Sequence, residues 1–159
     1  MPKIIPHTYL RPLILPLLAL SLIALAACGA DRSLDEYREK MERFFAQIEV
    51  YDNAINALDP EADDAVEEML AHLDGLAAAV KEMAGYKVPE DFIGVVELAG
   101  QAEYYMTEAV RLYREAYTAE EFDEETAWAA LENYERANLR LRYIAEILRG
   151  NIPEGIFID

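Results

Sequence analysis

The side chains best suited to chemistry in this sequence are aromatic and acidic. Tyr51, Tyr113, Tyr117 and Trp128 fall near one level when turns of helix are counted, and Asp59, Glu61, Glu121 and Asp123 lie close to that level. An aromatic face beside carboxylates attracts an ammonium group through the ring quadrupole. These eight residues form the candidate ligand or partner site, and its chemistry would be recognition of an amine or quaternary ammonium. The same tyrosines also step at helical spacing. Packed cores produce that stripe far more often than ligand boxes do, with Trp128 then a boundary residue.

Catalytic chemistry finds less material. His72 is the one histidine beyond His7, and position 69 is Met, so the Glu-x-x-His pair of a di-iron bundle is missing. No nucleophile stands beside a base, no Gly-rich loop could cradle phosphate, and no CxxCH could attach haem. The acidic clusters lack the turn glycine and alternating ligands of a calcium loop. The chain is therefore expected to be non-enzymatic and to carry no cofactor.

Charge narrows the partners. The formal net charge is −17, and removing residues 1–27, which hold only Lys3 and Arg11, takes it to −19. Phosphate backbones would repel such a chain, so nucleic acid is excluded as a partner, whereas basic proteins and cationic ligands suit it. Its 159 residues suffice for one domain with a real core, and its single cysteine allows no internal disulfide.

That cysteine has a telling address. Leu13 to Ala27 is apolar apart from Pro16 and Ser21, behind a flank holding Lys3 and Arg11. The run is too short for a comfortable membrane span, which needs about 20 residues. It fits the apolar region of a secretory signal. Its end, Leu25-Ala26-Ala27-Cys28, resembles the lipobox of bacterial lipoproteins: an apolar residue, two small ones, then cysteine. The resemblance implies a diacylglyceryl group on the Cys28 thiol and cleavage after Ala27. Membrane attachment would then be through lipidated Cys28, on the extracytoplasmic side of the cell membrane or outer membrane. Gly29, in place of the aspartate that retains enteric lipoproteins in the inner membrane, is compatible with the outer one.

The rest of the chain must position these groups, and it reads as four long helices. Leu34, Tyr37, Met41, Phe44, Ile48, Tyr51, Ile55 and Leu58 make an uninterrupted heptad seam, with Ser33 and Glu36 spaced as a capping box. A second seam runs from Ala62 to Met83, with Asp59 and Pro60 at its start and Gly85 at its end. A third runs from Phe92 to Ala116 behind Pro89, Glu90 and Asp91. The fourth runs from Ala127 to Leu148, with Asp123 as N-cap and Gly150 and Pro153 as stops. Four helices of about 24–26 residues, roughly 36–39 Å each, predict an all-α, antiparallel up-down-up-down bundle. The lipobox resemblance and the seams together imply a cleaved signal peptide (1–27), a lipidated anchor and short tether (28–32), the bundle (33–150) and a C-terminal tail (151–159). The stops Gly85-Tyr-Lys-Val-Pro-Glu and Gly150-Asn-Ile-Pro-Glu echo one another, as two related hairpins would. Gly75 and Gly100 read as places of close helix packing, and Asn138 as a polar residue on the fourth seam that fixes register with help from Tyr134.

This topology sorts the charges. No Lys or Arg occurs between Arg43 and Lys81 or between Arg114 and Arg136, and both acid-rich connections fall at the end away from the anchor. Carboxylates there also stabilise the helix N-termini that begin at that end. The lipobox and heptads together resemble the small helical-bundle lipoproteins of bacterial envelopes. That likeness implies a lipid-anchored binding or adaptor protein, its acidic tip meeting a protein partner or a cationic ligand.

Overall fold

The computed structural model describes residues 32–151. The signal segment, Cys28, residues 29–31, and the tail from residue 152 with Pro153 lie outside the described residues. Four helices follow one another: α1 (Arg32–Asn56), α2 (Ala65–Ala84), α3 (Val95–Thr118) and α4 (Glu124–Leu148), with a short 3₁₀ turn at Glu90–Phe92. They pack as a four-helix bundle, and cross-helix contacts show its antiparallel order. Tyr51 of α1 meets His72 of α2, with ring centroids 6.4 Å apart. Arg114 of α3 donates to both carboxylate oxygens of Asp74 on α2, at 2.7 and 2.6 Å. Arg140 of α4 donates to Gln101 of α3 at 3.0 Å.

The seams form the core. Tyr37, Met41, Phe44, Ile48 and Ile55 are buried on α1, and Met69, Leu73, Leu76, Val80 and Met83 on α2. On α3 and α4 the buried positions are often alanines: Ala99, Ala102, Ala109 and Ala116 on one, Ala127, Ala130, Ala137 and Ala145 on the other. Small residues let helix axes approach, and α3 and α4 are the most closely packed pair. α1 packs chiefly on α2 and reaches α4 through the Tyr134–Asp52 hydrogen bond.

The ends of the helices follow local chemistry. Asp123 caps α4, accepting from the Thr126 amide at 3.1 Å and the Thr126 hydroxyl at 2.7 Å. Gly150 has φ +82°, and the chain closes α4 with Gly150 N–H to Ile147 C=O at 3.0 Å and Asn151 N–H to Glu146 C=O at 3.0 Å. This is the Schellman pattern, which needs a residue without a Cβ penalty at the left-handed position. Gly85 ends α2 differently, with φ −83°. The sequence echo therefore does not extend to a shared stop geometry.

Three expectations need correction. The third helix starts at Val95, not at Phe92, which closes a separate 3₁₀ turn at Glu90–Phe92 ahead of Gly94. The second helix starts at Ala65, not at Pro60, and has 20 residues. Asp59 instead accepts the Glu61 amide at 3.0 Å, and the Ala62 and Ala65 amides bond back three residues, giving successive tight turns. The segment Glu61-Ala-Asp-Asp has no large apolar side chain to bury, and aspartate competes for backbone donors. Gly100 is also not a packing site. It is exposed, and a Cβ added there would meet nothing within 4 Å. Gly75 does admit a neighbour: a Cβ on it would fall 2.5 Å from Cζ of Tyr51.

Candidate functional site

The anticipated aromatic–acidic site is only partly assembled. Tyr113 and Tyr117 stand together, with centroids 6.4 Å apart, and Tyr117 meets Phe122 at 5.0 Å. Both tyrosines are buried, so neither ring offers an open face to a ligand. Tyr51 is half-buried over Gly75 on the α1–α2 seam. Trp128 stands 51% exposed on α4. Asp59 is engaged in its turn and Asp123 at the α4 cap. The Thr126 hydroxyl and amide also hold the Asp123 carboxyl below the usual carboxylate range. Glu61 and Glu121 are exposed in the two connections.

Those connections do share one end of the bundle. Residues 57–64 join α1 to α2 and residues 119–123 join α3 to α4, while Arg32 and the α2–α3 connection lie at the other end. Glu61, Asp63, Asp64, Glu67 and Glu68 on one side and Glu120, Glu121, Glu124 and Glu125 on the other are all exposed. Among the described residues no group of three or more His, Cys, Asp or Glu is arranged to hold a metal ion. No helix among them is long and apolar enough to cross a membrane.

The structure adds Asp52, which sequence reasoning missed, to the seam residues Tyr134 and Asn138. Asp52 is only 6% exposed and Asn138 only 3%, and they are the two buried polar residues of the described core. The Tyr134 hydroxyl of α4 donates to Asp52 Oδ1 of α1 at 3.3 Å, and Asn56 Nδ2 lies 3.5 Å from Oδ2. Burial pushes the Asp52 carboxyl above the usual range, and the Tyr134 hydrogen bond only partly opposes it. Burial and the neighbouring carboxylate also raise the Tyr134 hydroxyl. Asn138 lies one turn further along α4, and its Nδ2 finds no hydrogen-bond partner among the described residues. A buried donor left unpaired costs about 1–3 kcal/mol. The α1–α4 interface thus holds a buried carboxylate and, beside the Tyr134 hydroxyl, a buried amide nitrogen without a well-formed hydrogen bond. The signal was present in the row Phe45, Ile48, Asp52, Ile55, which continues the apolar stripe through the acid.

No family model, no curated protein and no solved structure matches this chain.

Proposed function

We propose that the protein is a lipid-anchored, non-enzymatic binding or adaptor module of a bacterial cell envelope. Cys28 would carry the lipid, and the acidic end of the bundle would face away from the membrane toward a basic protein partner or a cationic ligand. The observation that carries this reading is one of placement. α1 begins at Arg32, four residues after the lipobox cysteine, and the two acid-rich connections lie at the opposite end. A charged tip of one sign steers basic partners and does so less strongly as salt rises. The buried Tyr113 and Tyr117 favour recognition by surface charge over a closed aromatic box.

The test is site-specific photo-crosslinking in intact envelopes, with the reactive group at position 121 or, as control, at position 50. Capture of a partner at 121 that weakens with salt and disappears in a Glu61→Gln, Glu120→Gln, Glu124→Gln, Glu125→Gln variant supports the reading. Capture at 50 alone, or capture at 121 untouched by neutralisation, would sink it.

A further inference from the structure

The large apolar side chains left exposed among the described residues include Val50, Ile93, Val96, Tyr104 and Trp128. Ile93 and Val96, at 67% and 51% exposure, stand together. They are one turn apart, the Val96 amide donating to the Ile93 carbonyl at 3.1 Å. Their outward direction is built in, because Phe92 and Val95 take the inward positions between and beside them. The Phe92 ring packs on Tyr37 with centroids 5.9 Å apart, and the Arg38 guanidinium lies 5.8 Å above it. Lys40 likewise sits 5.6 Å above the Tyr86 ring. The whole α2–α3 connection is thereby clamped to the first turns of α1.

The chain that precedes α1 limits where this end can be. Arg32 is five residues before Tyr37, about 7.5 Å along the helix. Cys28 is four residues before Arg32, and four residues span at most about 14 Å. Acyl chains on Cys28 would therefore hold Ile93 and Val96 close to the lipid. At this end Arg38, Lys40 and Lys87 are interspersed with Glu39, Glu90, Asp91 and Glu97, so its charge is mixed. Long basic side chains can keep their charge at headgroup level while apolar neighbours enter the interface.

We propose that the α2–α3 connection is the face on which the anchored bundle rests against its bilayer, with Ile93 and Val96 dipping into the interface. This rests on the lipidation of Cys28 read above. Two apolar side chains cannot hold a protein on a membrane by themselves. The acyl chains supply attachment, and this pair sets orientation, turning the acidic end outward.

The test uses the lipidated protein purified from membranes, in which acylated Cys28 leaves an introduced cysteine as the single thiol. Ile93→Cys, Val96→Cys and Val50→Cys variants are each labelled with an environment-sensitive fluorophore and reconstituted into phosphatidylcholine vesicles, with and without headgroup-nitroxide lipid. The expected result is a blue shift and nitroxide quenching at 93 and 96, and neither at 50. Labels at 93 and 96 that behave like the label at 50 overturn the proposal. So do labels already blue-shifted in detergent and unquenched in vesicles, which would mean that residues 152–159 or a second copy cover this face. The mass of the Cys28 peptide is measured on the same samples. An unmodified Cys28 removes the anchor and this proposal together, whereas acylated Cys28 with unresponsive labels removes the proposal alone.

Discussion

Asp52 is the residue whose setting departs most from its type. A carboxyl whose folded-state pKa is raised holds its proton more tightly folded than unfolded. Its burial is then without penalty below the unfolded value of about 3.9, and the penalty grows as pH rises through the raised folded value. Asp52→Asn keeps an oxygen for the Tyr134 hydroxyl and removes the charge. We expect the variant to be more stable than the parent at pH 7 and the gap to close toward the unfolded carboxylate range, read as urea midpoints of both proteins across pH. Comparing the two proteins at each pH cancels the repulsion among surface acids, which also relaxes in acid. A gap of constant size would mean that Asp52 is solvated. Tyr134 and Asn138 were legible in the sequence because they sit on the heptad seam, whereas Asp52 flanks the seam and carries a side chain that is almost never buried alone. Trp128, read from the sequence as a boundary residue, stands half in solvent on α4.

At the scale of elements, the two mid-helix glycines offer a matched comparison. Gly100 faces solvent with open space at its Cβ position, so Gly100→Ala should stabilise the protein by about 0.5–1 kcal/mol through helix propensity alone. Gly75→Ala should not show that gain, because the Tyr51 ring occupies the place of the new methyl group. In a Tyr51→Ala background the gain at position 75 should return, a coupling that a double-mutant cycle of unfolding free energies would expose. The helices themselves differ in how firmly they are held. α3 and α4 approach closely on alanines, while α1 meets α4 across the Asp52 cluster. Native-state hydrogen exchange should therefore be slowest in the middle of α3 and α4, with α1 opening at lower free energy; equal protection in all four helices would contradict this. Heptad periodicity made all four helices and the Asp123 cap readable. It misplaced the start of α2, since Ala62 continues the period but has too little apolar surface to draw Glu61-Ala-Asp-Asp into helix. Neither could periodicity distinguish Gly75 from Gly100, because only the partner helix decides which glycine is covered.

For the whole molecule, the bundle arranges two unlike ends. One receives the chain from Cys28 and exposes Ile93 and Val96, and the other gathers exposed carboxylates from two connections. This polarity followed from the sequence once up-down-up-down order was assumed, because every connection then alternates ends. The orientation of the acidic end depends on what is attached at residue 28. Cys28→Ser should move the protein from the membrane to the soluble fraction without changing its helical content, since the bundle begins after that residue. The most direct measurement is the mass of the N-terminal peptide of the protein isolated from its own membranes. We predict a peptide that begins at Cys28 and carries the added mass of a diacylglyceryl group. A peptide with free Cys28, or a mature chain that begins elsewhere, would contradict the anchor and with it the orientation of the acidic end.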